Sequence, residues 1–184
     1  MNTCLYNSPI GILKISEDNG KITSLYLHQK ENASGYGSSL PQKQREQHNP
    51  QDRQCQREQR GHEQCSHGQE SELLPEACHQ LDEYFQGKRK NFDLPIGYVG
   101  TPFQEKVWRE LQNIPYGETM SYEDIAVKIG SPKAVRAVGQ ANNRNPILLI
   151  IPCHRVIHKN GDISGFACGT RAKKYLLELE RLCF

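Results

Sequence analysis

The sequence predicts an α+β protein. A small N-terminal antiparallel β-sheet carries a helix, and a mostly helical C-terminal part contains a helix-turn-helix. Three observations predict it. Over residues 5–28 short apolar runs are separated by turn residues. From residue 73 onward the apolar residues recur at helical spacing. Two of the later helical stretches are joined by a tight turn that contains glycine.

The N-terminal runs are Ile10, Ile12, Leu13 and Ile15, then Ile22, Leu25 and Leu27. Between them lies Glu17-Asp18-Asn19-Gly20, and Asn-Gly supplies the positive φ of a tight hairpin. Ser8-Pro9-Ile10-Gly11 marks an earlier turn, so two or three antiparallel strands are expected. Residues 29–72 differ in kind. Between Leu40 and Leu73 there is no aliphatic residue and no Phe, Tyr or Trp, and glutamine dominates among mixed charges. Such a stretch cannot bury enough apolar area to offset its ordering entropy, so a disordered polar insertion is expected at about 30–72. Its Cys55, His62, Cys65 and His67 are zinc-ligand types, but their spacing matches no common finger and no core surrounds them. They are read as part of a solvated loop, with no metal site.

Leu74, Ala77, Cys78, Leu81, Tyr84 and Phe85 share one face of a helix over 73–87, with Gly87 as its cap. Lys88-Arg89-Lys90 complements that helix end, Asn91–Pro95 runs extended, and Gly97–Gly100 reads as a linker. This divides the chain into an N-terminal α/β domain, 1–97, and a C-terminal domain, 98–184. Thr101 and Pro102 open the next helix as cap and first residue, and Pro115-Tyr116-Gly117 lies beyond its end. Ser121 caps another helix, with Asp124 completing an imperfect capping box, and Gly130 stops it. Ser131 and Pro132 are read as the start of the following helix, through about Ala141. That second helix is expected to carry Lys133, Arg136 and the small residues Ala134, Ala137 and Gly139, which suit close approach to a duplex. An ordinary helical hairpin with small residues against a core fits the same pattern. A last helix begins at about Thr170.

Composition narrows the classes further. Lys plus Arg number 23 and Asp plus Glu 21 among 184 residues. Residues 1–100 hold 11 basic and 13 acidic side chains, and residues 101–184 hold 12 and 8, so positive charge gathers in the C-terminal part. That is compatible with a nucleic-acid partner without establishing one. The seven cysteines form no disulfide framework, MNTCLYNSPIG lacks a secretory pattern, and no stretch approaches a membrane span. A reducing intracellular setting is expected, cytoplasmic or, in a eukaryote, nuclear.

The stretch that carries chemistry is Ile147–Ile157, ILLIIPCHRVI. Five aliphatics read as a short core strand or a fully buried segment, and Cys153 follows with His154 and Arg155 beside it. Neighbouring cations lower a thiol pKa, and the thiolate is the nucleophile, so a reactive thiolate is one reading. A buried structural cysteine is the other.

With these residues in place, the chain resembles the O6-alkylguanine-DNA alkyltransferases, the methylated-DNA–protein-cysteine methyltransferases. The resemblance covers Thr101–Glu180 through PFQEKVW, IPYGETMSY, SPKAVRAVGQANNRNP, IPCHRV, the Gly-Phe loop and KKYLLELE. The SPIG hairpin and QLDEYFQGKRKNFDLP resemble the family more loosely, and the glutamine-rich insertion departs from it. The resemblance implies a ribonuclease H-like N-terminal domain and a winged-helix-like C-terminal one. It implies repair by direct reversal. Cys153 takes the alkyl group of O6-alkylguanine (O4-alkylthymine being open) in a single irreversible turnover. His154 acts as general base through a water, Glu180 orients it, and Asn145 hydrogen-bonds near the thiol. Tyr122 donates to the flipped guanine and protonates it as it leaves. Arg136 fills the vacated place in the stack, with Ser121, Lys133, Ala134, Ala137 and Gly139 along the minor groove. Val156, Phe166, Ala167, Cys168 and Trp108 are implied at the substrate pocket, and Lys173 in positioning the last helix. Cys168 is read as packing. Phe166 stands where some members carry Tyr, so a ring remains without its hydroxyl. No cofactor, no metal and no membrane are implied. The partner the resemblance implies is duplex DNA containing O6-alkylguanine, with a monomer expected to bind it and cooperative binding on DNA left open. A non-catalytic lesion-binding relative and a Cys-His hydrolase are the alternatives. Cys153 argues against the first, and the second gives no reason for RAVG or Tyr122.

Overall fold

The computed structural model describes residues 1–28, 72–163 and 165–182. The expected insertion, with Cys55, His62, Cys65 and His67, lies outside them, apart from Glu72. Three antiparallel strands form the N-terminal sheet: β1 (Asn2–Ser8), β2 (Gly11–Asp18) and β3 (Lys21–Leu27), in the order β1-β2-β3. Asn19 and Gly20 both take positive φ, 50° and 70°, which is the paired left-handed geometry that the Asn-Gly dipeptide predicts. Helix α1 (Leu73–Phe85) buries Leu74, Ala77, Leu81 and Tyr84 in the common core with Leu13, Ile15, Ile22 and Leu25. It ends at Gly87, whose φ of 72° lets its N–H reach the Tyr84 carbonyl at 2.9 Å.

The outer edge of β3 ties the sheet to two later segments of the chain. Ile22 exchanges backbone bonds with the Pro95–Gly97 segment, and Leu25 with Pro146 and Leu148, at 2.8–2.9 Å. The residues just before the Cys-His-Arg stretch are thereby anchored to the sheet rather than left in a solvent loop.

Helix α2 (Pro102–Leu111) starts in the full capping box of Thr101 and Gln104. The two-residue strand β4 (Met120–Ser121) leads into α3 (Tyr122–Lys128), where Ser121 and Asp124 also complete a capping box. Gly130, at φ 71°, ends α3, and Ser131 N–H returns to the Ala126 carbonyl at 2.8 Å. The next helix starts later than its sequence suggests. Ser131–Ala134 form a turn closed by the Ala134 N–H on the Ser131 carbonyl, and α4 runs Val135–Asn143. Pro132 fixes a turn rather than a first helical residue, so Lys133 and Ala134 lie ahead of α4 instead of on it. The pair remains two short helices joined by a tight turn.

The aliphatic run is buried, as expected, but forms no regular strand. Ile147 and Ile151 make only isolated bridges, and Leu149 stands at φ 69°. The chain turns back inside the core, with the Ile151 N–H on the Ile147 carbonyl at 3.0 Å. A single 3-10 turn, Cys153–Arg155, comes next. Strand β5 (Val156–Ile157) then pairs in parallel with β4, and α5 (Thr170–Leu182) closes the fold. Among the described residues, no helix is long and apolar enough to cross a membrane.

Candidate active site

Two asparagines, Asn142 in the last turn of α4 and Asn145 just beyond it, hold the cysteine turn. Asn145 donates from Nδ2 to the Ile151 carbonyl at 2.7 Å and to Cys153 Sγ at 3.0 Å, while its Oδ1 accepts the Ile147 N–H at 3.0 Å. Asn142 donates to the Cys153 carbonyl at 3.3 Å. The Cys153 N–H bonds the Ile151 carbonyl at 2.8 Å. The thiol is therefore fixed from its backbone and from its sulfur, and it is only 2% exposed.

Behind it lies a fully buried carboxylate. Glu180 accepts five hydrogen bonds. Three reach Oε1, from the Tyr84 hydroxyl (2.7 Å), His154 Nε2 (2.8 Å) and Arg155 Nη2 (3.0 Å). Two reach Oε2, from Arg155 Nε (2.9 Å) and the Gly117 N–H (3.0 Å). Burial alone raises a carboxyl pKa, but His154 and Arg155 outweigh it and hold Glu180 well below the usual carboxylate range. Burial also pushes His154 below its ordinary value, against the pull of Glu180. A neutral imidazole facing an acceptor-only carboxylate must carry its proton on Nε2. Nδ1 is then a bare acceptor, buried and with no protein partner among the described residues.

The charges beside the thiol act differently from the sequence expectation. Arg155 turns to Glu180 and to the Ile114 carbonyl (2.6 Å), so its guanidinium is spent away from sulfur. Burial pushes the Cys153 pKa up to about 12, against lowering by the Asn145 hydrogen bond and by Lys173. At rest Cys153 is a protonated thiol, not a thiolate. Lys173 is itself fully buried, with Nζ 5.9 Å from the Tyr122 ring centroid.

Tyr122, at the start of α3, is 5% exposed and tilts over His158 with ring centroids 5.1 Å apart. Its pKa is raised by burial first, and ionisation of Cys153 or Asp162 would raise it further, which places it in the electrostatic neighbourhood of the thiol. Gly139 of α4 faces the Tyr122 ring: a Cβ there meets Cε1 at 3.9 Å. Arg136 and Ala137 project from α4 and are exposed, as is Lys133 in the turn before it, while Ala134 is half-buried. Val156 is buried in β5, Phe166 and Cys168 are half-buried, and Ala167 is exposed. Burial raises the Cys168 pKa, and a backbone bond at Leu27 opposes it.

Two expected site residues make structural contacts. Trp108 is buried, at 3% exposure. Its indole N–H bonds the Ala141 carbonyl at 2.8 Å and its ring meets Tyr98 edge-on, so it packs α2 against α4. Ser121 is 8% exposed and its hydroxyl both accepts from and donates to Asp124, so the cap occupies it. Sequence reading missed Tyr84 and Asn142. Tyr84 had a legible signal, because a tyrosine on the buried face of a helix needs a partner for its hydroxyl. Asn142 had none, since an asparagine in the last turn of a helix shows no bonding partner in the sequence.

A thiol held by an asparagine, a histidine backed by a buried carboxylate, and an exposed arginine on the second helix of a helix-turn-helix form one arrangement. The sequence matches two family models that together span most of it: the 6-O-methylguanine DNA methyltransferase ribonuclease-like domain over residues 1–98, and the DNA binding domain of the same family over residues 102–182. The chain belongs to the 6-O-methylguanine DNA methyltransferase family. It is 43% identical to the constitutive methylated-DNA–protein-cysteine methyltransferase of Bacillus subtilis over 178 residues, covering 96% of this chain and 93% of the relative. It is 54% identical over 112 residues to the methylated-DNA–protein-cysteine methyltransferase of Methanosarcina acetivorans, covering 61% of this chain and 72% of the relative. Mycobacterium tuberculosis OGT in complex with DNA superposes with a TM-score of 0.73 at 34% identity, covering 97% of this chain and 92% of that one. Among the described residues, no group of three or more His, Cys, Asp or Glu is placed to hold a metal ion.

Proposed function

We propose that this alkyltransferase moves the alkyl group of O6-alkylguanine in duplex DNA onto Cys153, once per molecule. The reading is carried by one arrangement: Cys153 Sγ on Asn145, followed directly by His154 on the buried Glu180. The target base is extruded from the duplex, because its O6 carbon is out of reach in the stack. Arg136, exposed on α4, enters the vacated place. The thiol attacks the alkyl carbon in line. The S–C bond forms, the C–O6 bond breaks, and the electron pair leaves with guanine. The thiol proton passes through a water to His154 Nδ1, the only ring nitrogen free to accept, and Glu180 stabilises the imidazolium. With the thiol near 12 and the imidazole depressed, that transfer is uphill at rest. It is driven as the S–C bond forms, so proton transfer and displacement are coupled. Tyr122 donates its phenolic proton toward the leaving guanine. The thioether has no route back to thiol, so turnover is stoichiometric.

Residues 1–97 serve as the scaffold and residues 98–184 as the DNA-binding and alkyl-transfer part. A DNA substrate and free thiols suit a reducing intracellular compartment. Incubation with a molar excess of O6-methylguanine duplex tests the reading. Repair is expected to stop at one lesion per protein and to vanish in Cys153→Ser. Repair that continues past one equivalent, or persists in the variant, overturns it.

A further inference from the structure

Cys4 and Cys78 stand outside the alkyl-transfer site. Their sulfurs lie 3.8 Å apart, Cys4 on β1 and Cys78 on α1, and both are half-buried. Contacts next to the pair hold the two elements together. Tyr6, two residues along β1 and so on the same face, donates to Asp82 at 2.7 Å and stacks on Phe85 with centroids 6.3 Å apart. Cys78, Asp82 and Phe85 succeed one another at helical spacing along α1. The two thiols therefore face each other across a contact that is already docked. A disulfide needs the sulfurs at about 2.05 Å, so oxidation must draw them together from 3.8 Å.

We propose that Cys4 and Cys78 form a reversible thiol–disulfide couple that takes peroxide as oxidant and fastens β1 to α1. Cys4 is the attacking sulfur, since it lies against Cys78 at 3.8 Å and that contact holds its thiol below the ordinary value. The Cys4 thiolate displaces hydroxide from hydrogen peroxide: an S–O bond forms and the O–O bond breaks. The Cys78 thiol then attacks the sulfenic sulfur, forming S–S, breaking S–O and releasing water. Two thiols and one peroxide give one disulfide and two waters, and a small dithiol reverses the change.

The consequence reaches the active site without using its thiol. The bond closes residues 4–78 into a covalent loop and locks α1, whose Tyr84 holds Glu180. Cys153, 2% exposed and with its pKa raised, stays reduced while the couple closes.

The full chain treated with about one equivalent of hydrogen peroxide, then alkylated with iodoacetamide and mapped without reduction, tests this. The expected result is one Cys4–Cys78 cross-linked peptide, lighter by two hydrogens, with Cys153 still able to accept a methyl group. Tm is expected to rise by roughly 5–10 °C, and dithiothreitol to reverse it. Both changes should vanish in Cys4→Ser, or in Cys78→Ser if the first variant does not fold. A bond from Cys4 to any other cysteine, oxidation of Cys153 ahead of the pair, or a mapped cross-link with unchanged Tm overturns the proposal.

Discussion

Glu180→Gln keeps the volume of the side chain and removes its charge. The structure sets what that costs. Each carboxylate oxygen faces donors only, so the new amide NH2 must point at Tyr84, His154 and Arg155 or at Arg155 and the Gly117 N–H. Either orientation opposes donor to donor and leaves the buried Arg155 guanidinium without its anion. Breaking a buried ion pair from one side costs about 3–5 kcal/mol. For a chain of this size that corresponds to a Tm loss of about 6–20 °C. His154 also loses the acceptor that fixes its proton on Nε2, so alkyl transfer is expected to slow by 10²- to 10⁴-fold, on the order of the general-base contribution. Because the folded Glu180 carboxyl sits below its unfolded value of 4.5, its stabilisation is complete above that value. It is lost only as pH falls through the lower folded value, so the wild type keeps it at pH 5 and the variant lacks it throughout. Thermal melts at pH 5 and 7.5, with single-turnover rates on O6-methylguanine duplex, measure both effects. A variant melting within about 2 °C of wild type at pH 7.5 refutes the reading of Glu180 as the hub of the site.

Tyr84→Phe removes one of five donors and leaves Glu180 ionised. It is expected to cost about 1.5–3 kcal/mol in urea unfolding, and an unchanged midpoint contradicts the bond. Cys153 is expected to react with iodoacetamide about tenfold faster per pH unit from about 7 to 10, since its thiol is held near 12, and a plateau below pH 9 contradicts that state. Arg136→Ala is expected to slow repair in duplex more than reaction with free O6-benzylguanine, and equal losses refute its role in the stack. Methylation of Cys153 adds a carbon to a site only 2% exposed, so the alkylated protein is expected to lose about 1–3 kcal/mol of stability, read from melts before and after reaction.

Local signals in the sequence were strong where one residue decides the backbone. Asn19-Gly20 specified the hairpin, Thr101-Pro102 the start of α2, and Ser121-Asp124 the start of α3. They failed where two local solutions compete. Ser131-Pro132 reads equally as a helix start or as a turn, and the packing of α4 selected the turn. Ile147–Ile151 has the composition of a core strand, but Asn145 and the edge of β3 take its hydrogen bonds and bend it into a turn. The residues alone made Cys153 a candidate, with a buried structural cysteine as the other reading, and the roles of His154, Asn145 and Glu180 came from the family resemblance. The direction of Arg155 was not legible, because adjacency in sequence says nothing of where a guanidinium points, and here it points to Glu180 and the Ile114 carbonyl while burial keeps the thiol protonated. Tyr84 comes from a helix 96 residues before Glu180. Only the docking of α1 onto the rest of the fold brings it there.

The most direct measurement is a peptide map of the protein after reaction with a duplex that carries isotopically labelled O6-methylguanine. One labelled methyl group on the peptide bearing Cys153, and none in Cys153→Ser, is the result this mechanism requires. A label on Cys4, Cys78, Cys168 or any other residue, with Cys153 left as free thiol, contradicts it.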